Sequence, residues 1–124
     1  MNTTETKYKI TQDMAVDALC WLTGSDRPVA ALKLMLDADK FCIMENTVRF
    51  RFKGSRSINY FILEYDAGMD LWNAVFKYFR NGKLSFIYKE VKRCDGLYCD
   101  KLKEVFEETT GLCLTVPRVI GINA

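Results

Sequence analysis

The spacing of apolar and polar residues changes character along this chain. From Thr11 to Gly24 the apolar positions Met14, Ala15, Ala18, Leu19 and Leu22 recur at helical spacing. Thr11 caps the predicted helix, Asp13 favours its N-terminal dipole, and Gly24 ends it as a C′ residue. Ser25 or Asp26 then caps a second helix, with Pro28 in its first turn, where the missing N–H costs nothing. From Val29 to Ala38 that helix is apolar nearly all round, so it is buried on most sides or meets a partner.

From Phe41 the period becomes two. Phe41 to Met44 reads as a short strand, and Glu45-Asn46 as a tight turn. Val48, Phe50 and Phe52 then face one way, while Arg49, Arg51 and Lys53 face the other, the alternation of a half-buried strand. Gly54-Ser55-Arg56 turns the chain into a β-branched and aromatic run from Ser57 to Tyr65, which ends at Asp66-Ala67-Gly68.

Asp70 to Arg80 fits two templates. Leu71, Val75, Tyr78 and Phe79 would make a helical stripe, but Trp72, Val75, Phe76, Tyr78 and Phe79 favour a strand. Asn81-Gly82 decides for strand, because it joins this run to another β-rich run, Lys83 to Arg93, as a hairpin turn would. A two-residue turn pairs Tyr78 with Ser85 and Phe76 with Ile87 on one face, and Phe79 with Leu84 and Val75 with Tyr88 on the other. Asp95-Gly96 closes the strands. Tyr98, Leu102, Val105 and Phe106 then mark an amphipathic helix, with Gly111 as its C′ glycine. Leu112, Leu114 and Val116 make a short last strand or extended segment before Pro117. The expected fold is α+β: a flexible arm over residues 1–10, then one domain over 11–124. That domain holds two N-terminal helices, an antiparallel meander of about five strands and one C-terminal amphipathic helix.

Three segments carry a resemblance: Ala38-Asp39-Lys40-Phe41, Asn46 to Ser55 with Ile58-Asn59-Tyr60, and Gly96 to Leu112. Together they resemble a widespread family of small uncharacterised proteins of bacteriophages, prophages and other mobile elements. The likeness spans roughly residues 30–116 and is most specific in the C-terminal helix. That family also has an Asp-x-aromatic strand, to which Asp70-Leu71-Trp72 is similar. The chain departs from it at Asp37, Asp39 and Lys40, where the family has a small-basic-polar triplet. It departs again at Cys99 and Lys101, where alanine and glutamine are usual. The resemblance implies a phage or mobile-element setting and carries over neither an activity nor catalytic residues.

Composition adds exclusions. The 124 residues are 49% hydrophobic and 27% charged, enough for one ordinary hydrophobic core and unlike a disordered chain. There is no histidine, so no Ser-His-Asp or Cys-His nucleophile and no imidazole base or ligand can form. The polar start of the chain is not a signal peptide, and no apolar run approaches a membrane span. The expectation is a cytoplasmic, non-enzymatic protein of a bacterial host, with no membrane, cofactor or metal. Five cysteines in such a compartment read as free thiols; Cys94 and Cys99, the one close pair, lack the CxxC spacing of a ribbon or redox site.

The net charge of +2 is uneven: −1 over residues 1–42, +5 over 43–93 and −2 over 94–124. The strands hold the positive charge. Arg49, Arg51 and Lys53 share a strand face, Arg56 follows, and Tyr60, Lys89 and Tyr88 join them as candidate binding residues, the tyrosines as stacking platforms. The competing reading is that these cations guard exposed strands against edge pairing.

Other constellations are weaker. The acids on the last helix, Glu104, Glu107 and Glu108, read as a solvated face. Lys53-Gly54-Ser55-Arg56 lacks phosphate-loop spacing. The second helix, which would be the reader of a helix-turn-helix, has Lys33 as its one long polar residue before Asp37, and Arg27 alone at its start does not supply base reading. Both faces of the predicted sheet are rich in apolar residues, which three helices cannot cover fully. Either the helices split across both faces, or one patch meets a partner or a second copy of the chain. The leading expectation is therefore a binding protein that docks on a host protein or ribonucleoprotein, as an anti-defence inhibitor of the anti-CRISPR kind does. The alternative is a single-strand nucleic-acid binder using the same basic face.

Overall fold

A computed structural model describes residues 9–81 and 86–114 of the chain, with only the backbone of 81, 86 and 87. The expected arm (apart from its last two residues), the Gly82 side of the turn, Val116 and Pro117 lie outside these residues. The elements run α1 (Gln12–Thr23), α2 (Pro28–Leu36), β1 (Asp39–Met44), β2 (Thr47–Arg51), β3 (Tyr60–Asp66), β4 (Leu71–Asn81), β5 (Phe86–Leu97), a short 3-10 turn (Cys99–Lys101) and α3 (Leu102–Thr110). The five strands pair in sequence order as an antiparallel meander. This is the α+β architecture the periodicity predicts, with strand, not helix, at 71–81.

Local chemistry explains most boundaries. The Thr11 hydroxyl accepts the Met14 N–H at 3.1 Å, and Gly24 ends α1 in the left-handed region. Helix α2 begins differently from expectation, because Arg27 stands at its N-cap with no side-chain bond. Ser25 Oγ instead accepts the Arg27 N–H at 3.1 Å in a tight local turn, and Pro28 follows with no donor to cap. Tyr98 precedes the 3-10 turn and is exposed, so the apolar stripe of α3 starts at Leu102.

The hairpin register also differs. Phe79 pairs with Tyr88 and Tyr78 with Lys89, four residues away from the pairing a two-residue Asn-Gly turn imposes. Asn81 belongs to β4. The shift is even, so Tyr88, Lys89 and Glu90 keep the faces their alternation assigned, whereas a bulge between Glu90 and Lys92 turns Lys92 to the Phe76 side and Arg93 to the Val75 side. The observed register sets the Tyr88 ring against Phe79, with centroids 6.0 Å apart. Strand β5 also runs past Asp95-Gly96 to Leu97. Gly96, at φ 71°, takes up an irregularity in the ladder, and Asn73 Oδ1 accepts its N–H at 2.9 Å.

All three helices lie on one face of the sheet. Leu19 and Leu22 of α1, Leu32 and Leu36 of α2, and Leu102 and Phe106 of α3 form one cluster with Val48, Phe50, Phe52, Phe61, Leu63, Trp72, Ala74 and Phe76. Phe106 is the centre of its aromatic part, with ring centroids 5.2, 5.0 and 6.0 Å from Phe52, Phe61 and Phe76. Glu107, expected on the wet face, turns back so that its carboxylate accepts the Leu114 N–H at 2.6 Å.

Candidate binding face

The strand register defines what the other face presents. One transverse row runs Asp39, Arg51, Tyr60, Lys77 and Glu90; the next runs Cys42, Arg49, Ile62, Val75 and Arg93. Among the described residues no helix covers these rows. Ile62 and Val75 are nonetheless buried, at 5% and 4% exposure, so polar and aromatic neighbours shield a small apolar centre. At one end of the face the charges cancel. Arg93 bonds Glu64 at 2.6 Å and Asp95 at 2.8 Å, and Asn73 donates to the same Glu64 oxygen at 3.0 Å.

The opposite end is aromatic and cationic. Tyr60, Phe79 and Tyr88 line a cavity of about 270 Å³ together with Lys40 and Arg51. Tyr88 packs edge-on against both other rings, 6.5 Å from Tyr60 and 6.0 Å from Phe79, and is 44% exposed. Lys77 Nζ lies 4.5 Å from the Tyr88 ring centre and 3.1 Å from its hydroxyl.

Lys40 reaches this cavity through a bulge. Asp39 pairs with Arg51 but Cys42 pairs with Arg49, so β1 carries one extra residue there. Lys40 takes that place at φ 58°. Simple alternation would send it to the face opposite Asp39; the bulge re-aims it.

Asn59 fixes the position of Phe79. Its side-chain amide donates to the Phe79 carbonyl at 2.6 Å and accepts the Phe79 N–H at 2.8 Å. Its backbone N–H donates to the Lys77 carbonyl at 3.1 Å, and its carbonyl accepts the Phe52 N–H at 2.9 Å. The Ile58-Asn59-Tyr60 segment is thus a joint between β2, β3 and β4.

A second, polar cleft of about 510 Å³ adjoins this end. It lies between the 52–59 connection and β4, is lined by Arg51, Lys53, Arg56, Asn59 and Tyr78 among others, and has no acid in its lining. Gly54 permits the connection. Its φ is 115°, and an added Cβ would meet Leu112 Cδ2 at 3.1 Å.

The residues expected to form a basic face are not all together. Arg49, Arg51 and Tyr60 share the helix-free face. Arg49 Nε donates to Thr47 Oγ1 at 3.2 Å, and Arg51 makes two bonds to Asp39 at 2.9 and 2.7 Å. Those bonds hold the Asp39 carboxyl below its ordinary range. Lys53 lies beyond the end of β2, where its N–H donates to the Leu36 carbonyl at 2.9 Å and its Nζ pairs with Asp37 at 3.0 Å. Arg56 is exposed in the connection. Lys89 pairs with Tyr78, on the side of the sheet that Phe76 and the helices share, so it does not join Tyr60.

Sequence reasoning missed Lys40, Lys77 and Phe79. The last two were signalled by their alternation with Val75. Lys40 had no signal, because a bulge leaves no periodicity to read.

The fold and face define a class: a five-stranded antiparallel meander backed by three helices, with its other face half polar and aromatic at one end. No protein-family model, curated protein or solved structure matches the chain. No described helix is long and apolar enough to cross a membrane. Among the described residues no group of three or more His, Cys, Asp or Glu side chains could hold a metal ion.

Proposed function

We propose that the protein acts by binding, not catalysis, and that its working surface is the helix-free face of the sheet, which takes single-stranded nucleic acid. The observation that carries this reading is the aromatic end: three rings and the cations Lys40, Arg51 and Lys77 around one cavity. Unpaired bases stack on exposed rings, and nearby cations meet the backbone. Base–aromatic stacking contributes about 1–3 kcal/mol per base. Tyr88→Ala should therefore weaken binding of a labelled oligothymidylate about fivefold or more, read by fluorescence anisotropy at low salt. Wild-type protein that binds no oligonucleotide at the lowest salt refutes the reading.

A host protein or ribonucleoprotein is the second reading. Its support is the half-exposed Ile43 and Met44 on β1, which lies at one end of the strand order, together with the resemblance to phage and mobile-element proteins. In that setting a cytoplasmic inhibitor of host defence is the natural role. Capture from host lysate with and without nuclease separates the two. Nuclease-resistant capture lost on Ile43→Asp supports the protein partner, and nuclease-sensitive capture lost on Tyr88→Ala supports the strand.

A further inference from the structure

The polar cleft beside the aromatic rings has cations with no ligand role in the reading above. Resting on that reading, we infer that this cleft is the site for the phosphates of the bound strand, and that Asp39 and Asp37 hold its cations until those phosphates displace them.

The geometry points this way at three places. First, Arg51 lines both clefts, so a strand with one base among the rings has its backbone next to the polar cleft. Second, Arg51 grips Asp39 through Nε and Nη2 at 2.9 and 2.7 Å, the forked arrangement guanidinium also makes with a phosphate. Two residues on, Lys53 is paired with Asp37 at 3.0 Å, so the α2–β1 junction sets two carboxylates against two cations, each two residues apart. Third, these pairs are accessible to a competitor. Both side chains of the Lys53–Asp37 pair are 70% exposed or more, and those of the Arg51–Asp39 pair are 39% and 48% exposed. Exposed pairs of this kind are weak and screened. Arg56 has no ion pair among the described residues and supplies a cation that is already free.

A phosphate entering the cleft therefore exchanges one anion for another at Arg51 and Lys53, and adds a contact at Arg56. The carboxylates lower affinity without blocking the site. This also gives the acids a consequence: by holding two cations in ion pairs they make binding at this end weaker and less steeply dependent on salt.

The test is anisotropy of a labelled oligothymidylate across a salt series, with wild type, Asp37→Asn/Asp39→Asn and Arg56→Glu, each checked for folding by circular dichroism. Freeing two cations steepens the salt slope by about 1.4, so the advantage of the double variant grows about sevenfold between 200 and 50 mM salt. Arg56→Glu weakens binding and makes the slope shallower by about 0.7 or more. If the double variant does not fold, Arg56→Glu decides alone. Wild type that binds while the folded double variant binds no better, or while Arg56→Glu changes nothing, overturns the phosphate site and leaves the aromatic face standing. No binding by any of the three overturns both.

Discussion

Asn59 offers the sharpest test of how the candidate face is built. Its side chain replaces a stretch of strand pairing by satisfying both backbone polar groups of Phe79, at 2.6 and 2.8 Å. Asn59→Ala removes both partners at once. A hydrogen bond left unmade in a part-buried site costs about 1–2 kcal/mol, towards the lower end of the range for buried groups. Two such losses predict a destabilisation of about 2–4 kcal/mol, measured as a fall in the urea midpoint at constant m-value. Asn59→Asp separates the two bonds. Its carboxylate still accepts the Phe79 N–H but faces the Phe79 carbonyl without a proton to donate. This variant should be destabilised at neutral pH and recover partly as pH falls through the carboxylate range, where the acid becomes a donor. Amide exchange at Phe79 reports the same joint locally and should accelerate in both variants. Asn59→Ala within about 0.5 kcal/mol of wild type, with unchanged exchange at Phe79, refutes the reasoning.

Four further outcomes follow from the structure. Phe106→Ala should cost about 3–5 kcal/mol, because three aromatic neighbours lose the same ring; denaturant unfolding checks it. Gly54→Ala should cost about 1–3 kcal/mol, since its φ of 115° and the Leu112 contact both oppose a Cβ; thermal unfolding measures it. The Asp39 carboxyl is depressed by Arg51, so its contribution is complete above about pH 4 and is lost as pH falls through its lowered value. Arg51→Gln should move the Asp39 titration upward in a carboxyl-detected NMR experiment. Burial raises the thiols of Cys20 and Cys99, the nearby Asp17 adding to it in both, whereas Cys42 and Cys113 are exposed. Alkylation followed by mass spectrometry should label Cys42 and Cys113 before Cys20 and Cys99.

What the sequence made legible is tied to what repeats. The strand alternation of Val48, Phe50 and Phe52 against Arg49 and Arg51 sorts the two faces of β2 correctly, because burial on one face enforces period two. Asn81-Gly82 correctly signals that two strands meet there, yet misplaces their register by four residues. Turn propensity is local, whereas register follows side-chain pairs such as Phe79 with Tyr88. Single-residue events were not legible. The bulge at Lys40, the continuation of β5 through Gly96 and the ion pairs of Asp37 and Asp39 each depend on residues distant in the chain. For the same reason Lys53 looked like a strand-face cation and proved to be anchored to the end of α2.

The order in which the chain is made gives the position of Phe106 another meaning. Strands β1 to β5 pair only with sequence neighbours, so the meander can assemble as it leaves the ribosome. Its inner face cannot be closed then, because the ring that joins Phe52, Phe61 and Phe76 lies on the last helix. A nascent chain that stops short of α3 carries a formed sheet with an open aromatic face, the state most prone to self-association. Closure of the inner face is thus tied to synthesis of α3, and truncation within α3 should give aggregates in place of a smaller soluble domain.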